Sequence, residues 1–204
     1  MIPIFPLPNV VLFPNVFLPL HIFEDRYRAM VSDALAGDRI IGMVLLRGRG
    51  TDPTDPAPPV YTIGCSGVIT HADPLEDGCF NIVLRGLERF RILGEDLTRP
   101  YRQARIESLA DLSVKGDELR QHRRRLEQLL DQRLTASASD TRGVSQMGDA
   151  DLVNALSQYL ELEPVEKQAL LERDGLLERY RSLIELLEMH ALTNGQGFPP
   201  TAVQ

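Results

Sequence analysis

Residues 10–31 read VVLFPNVFLPLHIFEDRYRAMV and carry two different periods in one run. Up to Phe23 the stretch is almost unbroken apolar residues, interrupted by Pro14 and Pro19. It is too apolar to lie in solvent, and proline at these positions excludes one continuous helix or one central strand. From Glu24 the pattern changes. Tyr27, Met30, Val31, Ala34 and Leu35 recur at the spacing of one helix face, and Gly37 follows as a stop signal. The reading is two short strand segments, Val10–Phe13 and Phe17–Leu20, turning a corner into a helix. In that reading His21 is a packed histidine at the edge of the core.

Working outward, Ile2–Phe5 reads as a short strand limited by Pro6 and Pro8. Arg39–Arg47 is an apolar run between charges, the pattern of a buried strand. Gly48–Pro59, with its Gly, Asp and Pro, can only be a loop. Strand signals then come densely: Val60–Thr70, a turn at Ala72–Gly78, Cys79–Arg85, a turn at Gly86–Glu88, Arg89–Leu93, and Tyr101–Leu109. One early helix among many strands predicts a closed or strongly curved antiparallel sheet of about six strands.

Beyond Lys115 the period becomes helical throughout. Leu119, Leu126, Leu129, Leu130 and Leu134 form one apolar face, with Asp117 placed as a cap. Thr135–Gly148 is a small-polar linker. Asp149 or Asp151 opens a second helix containing Leu152, Val153, Leu156, Tyr159 and Leu160. Pro164 fits the first turn of a third, and Asp174–Thr193 forms a fourth. The sequence therefore predicts an α+β chain: a β-rich module over 1–112 and an α-helical bundle over 113–204.

The chain has 204 residues, is 43% hydrophobic and 25% charged, and is long enough to bury a sizeable core. Its net charge of −7, heavier after residue 110, argues against a protein built to grip phosphate backbones. The apolar N-terminus lacks a basic leader and is broken by Pro3, Pro6 and Pro8, and no run reaches the ~20 apolar residues of a membrane span. The expectation is a soluble, cytoplasmic protein with no membrane association. Cys65 and Cys79 have no metal-ligand spacing and read as reduced, buried thiols.

Catalytic patterns fail one by one. Gly64-Cys65-Ser66-Gly67-Val68 breaks the nucleophile-elbow spacing at Val68. His21, His71, His122 and His190 form no metal-binding set. There is no Walker A sequence. Lys115 and Lys167 stand far from any candidate serine, and Arg123-Arg124-Arg125 sits among acidic neighbours as a solvated helix face. No cofactor and no metal is expected. What stands out is aromatic: six of the seven Phe, including Phe5, Phe13, Phe17, Phe23, Phe80 and Phe90, fall in the first 90 residues. Any apolar surplus there would make a peptide-binding surface.

Several blocks resemble the amino-terminal, substrate-binding domain of ATP-dependent Lon proteases. They are Pro6-Leu7-Pro8, Val11-Leu12-Phe13-Pro14, Leu18-Pro19-Leu20, Ile22-Phe23-Glu24 and Arg26-Tyr27. Downstream come Gly67-Val68-Ile69, Ile82-Val83-Leu84-Arg85-Gly86, Arg89-Phe90-Arg91-Ile92 and Pro100-Tyr101 with Ala104. Pro164 and Glu166-Lys167-Gln168-Ala169-Leu170-Leu171-Glu172 continue the match.

The resemblance implies a PUA-like β-barrel followed by a helical bundle. The ATPase and Ser-Lys peptidase domains of Lon are not in this sequence, so neither activity is carried over and no enzyme is expected. It implies instead a non-catalytic module that binds unfolded or degron-bearing polypeptides as an adaptor or regulator of a cytoplasmic protease. Candidate binding residues are Phe13, Phe17, Phe23, Glu24, Tyr27 and Arg89. The alternative is an RNA-binding protein, by analogy with other PUA-like folds, which the acidic charge disfavours.

Overall fold

The computed structural model describes residues 1–48, 57–110, 116–134 and 146–195. The elements in order are β1 (Ile2–Leu7), β2 (Phe17–Ile22), α1 (Asp25–Ala36), β3 (Ile40–Leu45), β4 (Ile63–Pro74), β5 (Phe80–Asp96) and β6 (Gln103–Leu109). Helices α2 (Gly116–Leu134), α3 (Asp149–Tyr159), α4 (Pro164–Leu171) and α5 (Leu176–Gly195) follow among the described residues. The central part of the Gly48–Pro59 loop, the 112/113 boundary and most of the Thr135–Gly148 linker lie outside the described residues.

The six strands form one sheet in the order β2-β5-β4-β3-β1-β6, with β6 also pairing to β5. It is a mixed sheet, not the all-antiparallel barrel expected from sequence. β1 and β3 run parallel, Ile4 opposite Gly42 through Leu7 opposite Leu45. The intervening β2 and α1 supply the long crossover connection that a parallel pair requires. The ring nearly closes, since β6 bonds to the second half of β5 and also to β1. The β1–β6 seam is only Ile2–Ala104 and Pro3–Gln103, and β2 lies outside the ring as an edge strand. The eight strand-like segments of the sequence become six strands through two differences. Val10–Phe13 is not a strand, whereas Cys79–Arg85 and Arg89–Leu93 are parts of one long strand that bends instead of turning.

Val11, Leu12, Phe13 and Val16 are buried but irregular. Their backbone polar groups must find partners outside any ladder. Asn15 supplies the reversal by adopting φ 60°, a left-handed conformation that asparagine tolerates. Its amide donates to the Gly86 carbonyl at 2.9 Å, and the Gly86 amide donates to the Val16 carbonyl at 2.9 Å. This approach is possible only because residue 86 has no side chain: a Cβ there would collide with the Phe13 carbonyl. Gly86 is thus the floor of the corner, where sequence reading placed a turn.

α1 ends with Gly37 as its C-cap, as the sequence indicates, but Gly37 has φ −119°. The left-handed residue is Arg39, with φ 62°, whose amide reaches back to the Ala34 carbonyl at 2.9 Å. α4 opens at Pro164, and Glu166 turns back to accept from the Glu163 amide at 2.8 Å, one half of a capping box.

The helices after residue 115, expected as a bundle, share one core with the sheet. Leu126, Leu170, Tyr180 and Leu183 belong to the same buried apolar cluster as Leu12, Phe13, Ile69 and Leu84. A smaller cluster of Ile4, Val44, Phe90 and Ala104 fills the sheet's other concavity. The two free cysteines are buried, as expected. Gly86→Ala should destabilise the fold by roughly 3 kcal/mol or more in chemical denaturation, the scale of forced backbone displacement at a buried site. Gly94→Ala, where an added Cβ meets nothing, should stay within about 1 kcal/mol of the parent.

Candidate functional site

The candidate residues separate into two groups once placed. Phe13 is fully buried at 0% exposure, inside the corner. Tyr27 is buried with its ring 4.3 Å from that of Phe5, beneath the Arg26 guanidinium at 4.5 Å. Arg89 projects from β5 into the sheet–helix interface, where it is 3% exposed and donates to the carbonyls of Leu171 at 3.0 Å and Arg173 at 2.7 Å. The Leu171 carbonyl is the last of α4, where the helix end carries partial negative charge that a cation complements, and the Arg173 carbonyl lies just beyond it. These three residues act through packing and capping.

Phe17 and Phe23 face solvent, at 50% and 63% exposure. Glu24 is half-buried at the start of α1, where its carbonyl accepts from the amides of Tyr27 and Arg28 and its carboxylate accepts from Arg26 Nε at 2.9 Å. Side chains alternate along a strand, so Phe17, Pro19, His21 and Phe23 share one side of β2 and its extension, and all four are exposed. His21 is therefore not the packed histidine expected. Its ring stacks near Phe23 with centroids 6.1 Å apart, and its Nδ1 lies 2.8 Å from Asn81 Oδ1. The strand pairing brings Val83 opposite Pro19 and Asn81 opposite His21, and His71 opposite Val83 from the other side. Together they line a shallow cavity of about 290 Å³. Pro19, His21, His71, Asn81 and Val83 were not among the sequence candidates. Register was the missing information.

Whether this edge can add a strand depends on its backbone. The Val16 carbonyl accepts from Gly86, and the register then turns the even-numbered residues of β2 toward β5. Odd-numbered residues consequently present their backbone to the open side. There Pro19 has no N–H to donate, and the Phe17 carbonyl already accepts from the Tyr159 hydroxyl at 3.1 Å. Proline on the open side of an edge strand is a device against edge pairing. The accessible feature is the side-chain face.

A family model described as the ATP-dependent protease La (LON) substrate-binding domain matches residues 1–189. The chain belongs to this Lon family. It is 30% identical over 196 residues to the Lon protease of Anaeromyxobacter dehalogenans, covering 92% of this chain and 23% of that protein. Lon protease 2 of Myxococcus xanthus is 29% identical, again over 92% of this chain and 23% of the relative. The chain thus spans less than a quarter of the length of these curated relatives. The N-terminal domain of Mycobacterium avium complex Lon protease has a TM-score of 0.71 at 17% identity, covering 93% of this chain and 98% of that one. A Lon N-terminal domain protein from Xanthomonas campestris gives 0.64 at 22% identity, covering 90% and 96%. At these identities the likeness concerns the fold.

No group of residues that could hold a metal ion occurs among the described residues, and no described helix is long and apolar enough to cross a membrane. Burial pushes the Cys65 thiol far above the ordinary range, which leaves it protonated and a poor nucleophile. Burial is also the largest cause that raises Tyr180, from an ordinary 10.0. Below pH 9 both groups are protonated in the folded and unfolded chains alike, so their contribution to stability is fully present. Above their ordinary values of 9.0 and 10.0, the unfolded chain releases protons that the fold retains, and stability falls. Thermal denaturation across pH 7 to 11 should show this loss beginning near pH 9. Arg89→Met should cost roughly 2–4 kcal/mol in denaturant titration, because the Leu171 and Arg173 carbonyls lose a charged donor at a buried position.

Proposed function

We propose that this Lon-family domain binds unfolded or degron-bearing polypeptide without catalysing a reaction on it, and serves as an adaptor or regulator of proteolysis. The observation that carries the reading is the exposed side-chain face of Phe17, Pro19, His21 and Phe23, continued by Val83. Phenylalanine and proline side chains turned outward along one face mark a contact surface, and an extended peptide can lay alternate side chains along it. Membership of a family described as substrate-binding supports the same reading.

The magnitudes are compatible with reversible capture. Completing the burial of two half-exposed phenylalanines is worth on the order of 1–3 kcal/mol together. That is a transient hold, suited to presenting a chain and releasing it.

Binding of a fluorescently labelled, reduced and alkylated model protein should weaken about tenfold or more in a Phe17→Ser, Phe23→Ser double variant, with the melting temperature close to that of the parent. Undiminished binding by the variant would move the site elsewhere on the molecule. Failure of the parent chain to bind any unfolded polypeptide above a scrambled polar control would overturn the reading altogether.

A further inference from the structure

A second concavity lies between the end of β1, the start of α1 and the turn that joins β5 to β6. It has a volume of about 150 Å³, and its wall carries three guanidinium groups, those of Arg26, Arg99 and Arg102, beside Tyr27, Leu97 and Pro100. No acidic side chain is part of that wall among the described residues. Each guanidinium is nevertheless paired with a carboxylate that is not part of the wall. Arg26 lies 2.8 Å from Glu24, Arg102 lies 2.6 Å from Glu95, and Arg99 bonds to Asp33 and, at 2.9 Å, to the Tyr101 hydroxyl. Arg102 is buried and also donates to the Pro58 carbonyl at 2.6 Å.

Buried Arg102 and the half-exposed Arg26 and Arg99 thus set guanidinium donors beside the apolar side chains of Leu97 and Pro100. Arg26 bonds Glu24 through Nε and Nη2, which leaves Nη1 for a ligand. Arg99 uses Nη1 on both its partners, which leaves Nε and Nη2. We propose that the recess binds a carboxylate attached to an apolar side chain, namely the free C-terminal residue of a polypeptide. This rests on the polypeptide-binding reading above and names the feature of the polypeptide that is recognised.

Three physical points lead to that ligand. The guanidinium fork matches the two oxygens of a carboxylate, and terminal carboxylates are a recurring target of such donor sets. The three cations and their three bracing carboxylates sum to zero, which suits a monoanion better than a phosphate dianion. The volume corresponds to roughly five waters, enough for one terminal residue with Leu97, Tyr27 and Pro100 against its side chain.

The test uses the full chain and two labelled decapeptides of identical sequence ending in leucine, one a free acid and one a C-terminal amide, read by fluorescence anisotropy. The free acid should bind roughly tenfold more tightly, the effect of one charge-assisted hydrogen bond. In Arg26→Gln, whose side chain is braced only at the surface, the acid should fall to the level of the amide while the amide is unchanged. Millimolar inorganic phosphate should not abolish the preference. Equal binding of acid and amide would overturn the assignment and leave polypeptide binding standing. Loss of the preference to phosphate would make the recess a general anion site instead. Failure of both peptides to bind the parent chain would overturn this assignment and the polypeptide reading together.

Discussion

The buried, irregular backbone from Val11 to Val16 is the constraint that the rest of the molecule answers to. It lies in the apolar core without a strand partner along most of its length, so each of its polar groups needs an individual bond. Gly86 supplies two. The Val16 amide donates to the Phe13 carbonyl within the segment, and α3 supplies two more: Gln158 accepts from the Phe13 amide at 3.2 Å, and Asn154 donates to the Pro14 carbonyl at 3.2 Å. Asp151 accepts from the Asn15 side chain at 2.9 Å. Asn154 is in turn held by the buried Arg179 of α5, whose guanidinium donates to its carbonyl oxygen at 3.0 Å. A segment from the first 16 residues is therefore completed by residues more than 130 positions later.

That dependence explains why the helices share a core with the sheet. Arg89 ties β5 to the end of α4, and Gln168 of α4 donates to the Ile63 carbonyl at the start of β4 at 2.9 Å. These bonds fix the helices against the sheet, while the continuous apolar cluster beneath them provides most of the free energy of association. Polar bonds in such a place specify geometry more than they add stability, because their groups would be hydrogen-bonded to water in the unfolded chain.

The same corner decides what remains exposed. With Leu12, Phe13 and Val16 turned inward, β2 starts at Phe17 with its odd-numbered side chains outward. Pro19 and the Tyr159 hydroxyl close the strand edge to backbone pairing, so the apolar face stays available while the edge does not template aggregation. The proposed contact face and the guanidinium recess are joined by Phe23-Glu24-Asp25-Arg26, the short passage where strand gives way to helix.

The sequence by itself determined the α+β class, the helix after Glu24, the helical periods beyond Lys115 and, through its paired motifs, the family. Those signals are local: periodicity, caps such as Pro164, and short fixed strings of residues. It did not determine that Val10–Phe13 would lie in the core as coil, that β5 would run unbroken through Gly86, or that β1 and β3 would be parallel. Each depends on which distant backbone is adjacent, and a buried apolar run looks the same whether its partner is a strand or a set of helix side chains. The site shows the same division. Phe17 and Phe23 could be named from their residue type, but only tertiary placement separated them from Phe13, which has the same chemistry and is buried in the core. Arg89, Tyr27 and the three arginines of the recess took their roles from tertiary placement alone, because a charge is held, capped or offered to a ligand according to what folds against it.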